Sequence, residues 1–165
     1  MKFETTILLL TLAIVSCTPA ERPPTQEEKA SAETGVETLR PLEESVVAAF
    51  RAGEIDPLAS LYSSDVVVLP PGEPALVGKE AVLEWLGDLF DQFSVDEFAS
   101  PVDEVIVDGD WAFSRGRFSW LVSPKSGGEP ARDGGTFVVI WSRAPDGSWQ
   151  RARVIWNSGQ PEAAL

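Results

Sequence analysis

The chain has no histidine and a single cysteine, Cys17, in 165 residues. A histidine-ligated zinc site, a Ser-His-Asp triad and a Cys-His dyad are therefore excluded within it. No metal and no cofactor are expected. Any proton transfer falls to Asp, Glu, Tyr, Lys or Arg. Positive charge is also scarce: 13 Lys+Arg face 26 Asp+Glu, a formal net charge of −13. Phosphate backbones demand concentrated Lys and Arg, so nucleic acid is not an expected partner. Acidity of this size has a plainer meaning, solubility and mutual repulsion of copies. What is present is enough for one domain with a real core: 44% apolar and 24% charged residues.

The chain starts Met1-Lys2-Phe3, short and weakly positive, and Ile7 to Val15 is an apolar run of nine residues broken only by Thr11. That is too short to span a bilayer, which takes about 20 residues, but it suits a signal-peptide core. The run ends in Ile14-Val15-Ser16-Cys17, which resembles the bacterial lipobox. The resemblance implies a signal peptide over residues 1–16, cleavage before Cys17, and lipid on that residue. Such lipid is an anchor and not a span. The alternative is an ordinary secretory signal with a chance cysteine. The position of Cys17 directly after the apolar core, and the Pro- and Glu-rich stretch after it, favour the lipobox. Thr18 is not the Asp that retains many lipoproteins in the inner membrane, so the resemblance implies the cell envelope, at the outer membrane and facing the periplasm. Residues 17–35, the anchor cysteine and TPAERPPTQEEKASAETG, carry no aromatic and no β-branched aliphatic side chain. They read as a disordered tether.

A folded domain is expected over residues 36–161. Leu39, Leu42, Val46 and Phe50 follow helical spacing and predict a helix to Ala52, stopped by Gly53. Asp56-Pro57 predicts the cap and start of a short second helix. The stretch Leu61 to Val82, LYSSDVVVLPPGEPALVGKEAV, then organises the chain. It predicts a helix end, a β-branched strand, a Pro70-Pro71-Gly72 turn, a second short strand, and Gly78 opening a helix. That helix, about Lys79 to Gln92, carries an unbroken stripe of Val82, Trp85, Leu86, Leu89, Phe90 and Phe93. From Val95 the period changes to strands, expected at 102–107, 111–122, 136–143 and 149–158. Asp108-Gly109-Asp110 and Ala144-Pro145-Asp146-Gly147 are turns, and Ser123 to Gly135 is a Gly- and Pro-rich loop. Helices first and a meander after them is an α+β layout.

Three segments now carry a resemblance. They are Leu61–Val82, Asp108-Gly109-Asp110-Trp111 into Arg115-Gly116, and Asp146-Gly147-Ser148-Trp149 into Val154-Ile155-Trp156-Asn157-Ser158. With the order of elements they resemble the NTF2-like superfamily, nearest its SnoaL-like, ketosteroid-isomerase-homologue branch of the DUF4440 type. The resemblance implies a cone: three N-terminal helices packed on a curved, mostly antiparallel sheet, a pocket between them, and a homodimer through the opposite face. Ketosteroid isomerase needs a carboxylate base and hydrogen-bond donors for an enolate. The base position corresponds here to Leu69-Pro70, and the donor and supporting positions to Val46, Val139 and Leu86. Tyr62 alone keeps the family's pattern. No catalytic residue is therefore assigned.

The resemblance places Phe113, Arg115, Arg117 and Ser119 on the pocket side of one strand. Phe137, Val139 and Trp141 follow on the next, and Val154 and Trp156 on the last, closed over by Tyr62 and Trp85. The aromatic residues equally suit a filled core. Arg115 and Arg117 point the same way from a strand. In a pocket they call for an anionic ligand or for Asp65, Glu73 or Asp133 as partners; facing out, they are surface charges. Arg151, Arg153 and Asn157 are expected on the outer or dimer face. Three functions follow: a lipid-anchored domain binding a small, partly apolar, potentially anionic molecule; an isomerase or cyclase using relocated carboxylates such as Asp65 or Asp133 with Tyr62; and a structural or dimerisation module of the envelope. A hollow cone, and a carboxylate lining it, would separate them.

Overall fold

The computed structural model describes residues 26–159, with side chains from Val36 onward. The signal segment, Cys17, the first part of the tether and the expected end of the domain at Pro161 lie outside the described residues. The first helix, α1, spans Gln26–Ala52. It thus takes in residues 26–35, which the composition assigns to the disordered tether. Low hydrophobicity denies that stretch a core of its own, but QEEKASAET is built from good helix formers that can extend an existing helix. Pro41 lies inside α1, and the Ser45 hydroxyl donates to its carbonyl at 2.8 Å.

Helix α2 follows at Ile55–Leu61, with Glu54 at the N-cap and no side-chain capping bond. Asp56 is therefore not the cap. It sits in the first turn, where a carboxylate complements the helix dipole. Strands β1 (Tyr62–Leu69) and β2 (Leu76–Val77) bracket the Pro70-Pro71-Gly72 turn, and α3 covers Lys79–Gln92. The chain then runs through β3 (Phe93–Ala99), β4 (Val102–Asp108), β5 (Trp111–Pro124), β6 (Ala131–Arg143) and β7 (Trp149–Gly159). Strand β3 starts two residues before the expected change of period at Val95. The expected loop at 123–135 shrinks to residues 125–130, because β5 and β6 pair as far as Val122 with Ala131.

The seven strands form one open mixed sheet in the order β2-β1-β7-β6-β5-β3, with β4 also on β5. Only β1 and β7 run parallel among the described pairings; the others are antiparallel. Strand β4 pairs with the first part of β5 and β3 with the last, so the sheet edge turns a corner at Ser100-Pro101. Two glycines permit the tight curvature. A Cβ on Gly116 would lie 2.2 Å from the Pro101 carbonyl oxygen, and one on Gly135 would lie 1.8 Å from that of Asn157. No side chain fits at either distance. The helices cover the concave face. Leu39, Val46 and Ala49 of α1, Leu58 of α2, and Val82, Leu86 and Phe90 of α3 are buried with Val66, Val68, Phe118, Phe137, Val139, Trp141 and Val154 of the sheet. Phe50 stacks on Phe98 at 4.9 Å between ring centroids and meets Phe90 edge-on at 5.6 Å.

Candidate functional site

The cone is hollow. Between the helices and the concave face lies a cavity of about 90 Å³, several times the ~10–15 Å³ that one water molecule's centre requires. Its walls come from every layer: Val46 and Phe50 of α1, Val82, Trp85 and Leu86 of α3, Tyr62 and Val68 of β1, Phe98 and Ser100 at the sheet corner, and Phe118, Trp120, Phe137, Arg151, Val154 and Trp156 of the long strands. The wall is apolar and largely aromatic. Half-buried Trp85 and Trp156 stand 6.1 Å apart, ring to ring, inclined at 55°. The Trp85 indole N–H donates to Glu73 Oε2 at 3.1 Å, so the turn after β1 orients this ring.

Among the described residues Arg151 is the one charged residue in the lining, and no carboxylate is part of it. Its Nη2 faces Glu43 Oε2 at 3.4 Å, and the two side chains are only 7% and 5% exposed. Glu43 Oε1 also accepts from the Ser114 hydroxyl at 3.1 Å, and that hydroxyl accepts from the Trp141 indole N–H at 3.0 Å. The guanidinium lies 5.5 Å from the Trp141 ring centroid and 6.0 Å from that of Tyr62. A buried polar chain thus links α1, β5, β6 and β7 under an apolar hollow.

The sequence-based candidates divide. Tyr62, Trp85 and Trp156 line the hollow, as do Phe137 and Val154. Val139 and Trp141 point the same way but are fully buried behind it. Phe113, Arg115 and Arg117 do not belong to the site. On β5 the concave face carries Ala112, Ser114, Gly116 and Phe118, and the alternate residues face outward. The parity is the inverse of the expected one: Ser114 turns inward and donates to Glu43 of α1, and Gly116 sits against the Pro101 carbonyl oxygen and the Phe137 ring, where no side chain fits. Arg115 instead pairs with Glu104 at 2.5 Å and Arg117 with Asp103 at 3.4 Å, all on the convex side. Arg151 is the converse case, expected outside and found inside. The β6–β7 register shifts between Ile140 and Trp141, so that Arg153 and Arg151 face these two neighbours. The extra residue, Ala152, is a bulge that leaves Arg151 and Ala152 both buried.

The proposed carboxylates also lie elsewhere. Asp65 meets Arg153 at 3.7 Å, and its carboxyl is held below the ordinary range by the side chains of Ser63 and Arg153. Asp133 accepts from the Ser158 hydroxyl at 2.7 Å. Glu43 is the carboxylate that strict alternation and motif reading missed. Its signal was present: it sits between Leu39 and Val46 on the apolar stripe of α1, where a charge has no place unless it is paired. Among the described residues no group of three or more acidic or cysteine side chains is arranged for a metal ion.

Comparison with known proteins agrees with this architecture. The SnoaL-like domain model matches residues 44–153. The chain belongs to the SnoaL-like family. Its relatives of known structure share the NTF2-like cone. A conserved protein from Planctomyces limnophilus is 26% identical with a TM-score of 0.70, over 77% of this chain and 99% of that one. A ketosteroid isomerase-like protein from Erwinia carotovora is also 26% identical, with a TM-score of 0.65, over 83% of this chain and 100% of that one. An NTF2-like superfamily protein from Salmonella enterica, at 15% identity and a TM-score of 0.63, covers 78% of this chain and 98% of its own; at that identity the likeness is one of fold. No curated protein matches. In this SnoaL-like domain, Val46 and Leu86, two positions where the isomerase resemblance expects hydrogen-bonding groups, are apolar wall residues of the hollow.

Proposed function

We propose that this SnoaL-like domain binds a small, largely apolar molecule inside its cone. One observation carries the reading: the hollow is walled by aromatic and aliphatic side chains, with a single charged residue at its base. Pockets of that composition gain affinity from buried apolar surface and orient the guest with few polar groups. Binding is favoured over acid–base catalysis by relocated carboxylates, because Asp65 and Asp133 are engaged outside the hollow. Native mass spectrometry on protein purified from its own cells tests the reading. A retained small molecule, lost in Val154→Trp, is the expected result. No retained mass, and no quenching of pocket tryptophan fluorescence by millimolar aromatic probes, would overturn it.

From the lipobox-like Ile14-Val15-Ser16-Cys17 we propose further that the domain is held at the outer membrane, facing the periplasm, by lipid attached to Cys17. Metabolic labelling with a fatty acid should mark the native protein and not Cys17→Ser; equal label in both would remove the anchor from the proposal. A homodimer is part of it too. Trp111, Ile106, Ile140 and Ile155 are each more than a third exposed on the convex side of the sheet, an apolar strip of the kind that marks association.

A further inference from the structure

Three tryptophans join the hollow to solvent, and they select the charge of the guest. We infer that the guest carries a cationic head, an ammonium or quaternary ammonium group, which rests on Trp85 and Trp156 beside Glu73 while its apolar body fills the hollow. This rests on the reading of the hollow as a binding pocket.

Most of the wall is buried, but Trp85, Trp120 and Trp156 both line the hollow and reach solvent. Trp85 and Trp156 stand 6.1 Å apart between ring centroids with 55° between their planes, a wedge rather than a stack. The faces of an indole are electron-rich, and a cation within about 6 Å of the ring centroid is attracted to them. Trp85 is polarised further in that sense. Its N–H donates at 3.1 Å to Glu73 Oε2, and a full negative charge on the acceptor pushes electron density back into the ring. The carboxylate fixed in this way is also a counter-charge beside the wedge. Two aromatic rings and one carboxylate are a recognition set for an ammonium with apolar substituents.

Charge balance agrees. Each of the six arginines on the sheet strands pairs with an acid other than Glu73, and Glu73 is in no ion pair among the described residues. Arg151, buried and five positions before Trp156 on β7, is already neutralised by Glu43. A second acid stands near the tryptophans. Asp133 is the Cα partner of Trp120 across β5 and β6, so the two side chains share the inward face. Its carboxylate accepts from the Ser158 hydroxyl at 2.7 Å and the Gly134 N–H at 2.8 Å. Both donors are neutral, so its charge is kept. Arg51 donates elsewhere, to the Phe98 carbonyl oxygen at 2.9 Å. An anion at the wedge would meet Glu73 and a chain of net charge −13; a cation is drawn by both. The anionic guest expected from Arg115 and Arg117 loses its basis, since both face outward and are paired with acids.

Three probes of one shape separate the cases: benzylammonium, benzyl alcohol and benzoate, titrated into the purified protein at neutral pH by ligand-observed NMR. Benzylammonium should bind roughly threefold to tenfold tighter than benzyl alcohol, the scale of a cation on partly exposed aromatic faces, and benzoate should bind weakest. The readout in variants is the ratio of the first two affinities, because a damaged wall weakens both probes alike. Glu73→Gln keeps an acceptor for the Trp85 N–H and removes the charge, and it should lower the ratio. Trp156→Leu keeps the wall apolar and removes one aromatic face, and it should lower the ratio as well. A ratio unchanged in either variant would overturn the wedge as the seat of the cation, in favour of general attraction to an acidic chain. Equal binding of benzylammonium and benzyl alcohol to the native protein would overturn the head-group assignment and leave the pocket standing. Benzoate as the tightest native ligand would overturn it in favour of an anion site. Failure of all three probes would remove the pocket reading and this inference with it.

Discussion

Arg151 and Glu43 are 108 positions apart in the chain and meet in the interior at 3.4 Å. The contact ties the last strand to the first helix across the whole domain. Arg151 is also part of the wall of the hollow, so the pair sits where the helix layer and the pocket meet.

Removing either partner alone leaves a buried charge without compensation. Arg151→Ala and Glu43→Ala should each lower unfolding free energy by about 3–5 kcal/mol, whereas replacing both with apolar residues of similar volume should cost far less. Urea denaturation of the two single variants and of Glu43→Met, Arg151→Met checks this through the coupling between the sites. Additive losses would mean that the pair does not act as a unit.

The outward arginines should behave in the opposite way. Arg115 and Arg117 form exposed ion pairs with Glu104 and Asp103. Such pairs contribute at most about 1 kcal/mol and are screened by salt. Arg115→Ala and Arg117→Ala should leave probe binding unchanged, while Trp85→Ala or Trp156→Ala should weaken it several-fold. A loss of binding in the arginine variants would place them in the site after all.

Gly135 should not tolerate a side chain. A Cβ there would overlap the Asn157 carbonyl oxygen at 1.8 Å and come within 3.1 Å of the Phe118 ring. Gly135→Ala must push β7 away from β6, and a cost on the order of 2–4 kcal/mol follows, the range of overpacked or strained core sites. Gly87→Ala is the control for a tolerant position: its φ is ordinary and an added Cβ meets only Ile55 Cδ1, at 3.5 Å. Thermal unfolding should separate them clearly; similar melting temperatures would count against the tight β6–β7 approach.

The carboxyl of Asp65 is lowered from its ordinary value of 3.8 by the side chains of Ser63 and Arg153; the Ser63 hydroxyl is buried without a hydrogen-bond partner, whereas the Arg153 guanidinium stands 3.7 Å from the carboxylate. A group depressed in the folded state stabilises it above the unfolded pKa, and that contribution is lost as pH falls through the folded value. Between pH 5 and 8 the effect is therefore constant. Arg153→Ala should raise the Asp65 pKa, read by carboxyl-carbon NMR, and should flatten the acid limb of the stability curve below about pH 4. An unchanged Asp65 titration would exclude the guanidinium as its cause. Because the group is almost fully exposed, the energetic effect is small.

Periodicity alone made most of the architecture legible. The apolar stripe of Val82, Leu86 and Phe90 declared α3, and the turn residues after β1 and before β7 declared the hairpins. These are local signals, with local causes in backbone sterics and amphipathic spacing. The α+β order, and the resemblance it supports, needed no more than that. Tyr62, Trp85 and Trp156 were placed by the family resemblance, and all three line the hollow.

Two decisions belonged to the tertiary structure. One was which face of β5 looks inward. Alternation only says that Ala112, Ser114 and Gly116 oppose Phe113, Arg115 and Arg117. The small set turns inward, with Ser114 bonded to Glu43 of α1 and Gly116 pressed against the Pro101 carbonyl and the Phe137 ring. The other was the inversion at Arg151. A single extra residue in β7 shifts its pairing with β6 and turns a charge into the interior, where Glu43 of α1 neutralises it. The chain by itself determined the elements, their order and the absence of histidine and thiol chemistry in the domain. Which charge sits under the hollow depended on contacts between segments far apart in sequence, and no local pattern encodes those.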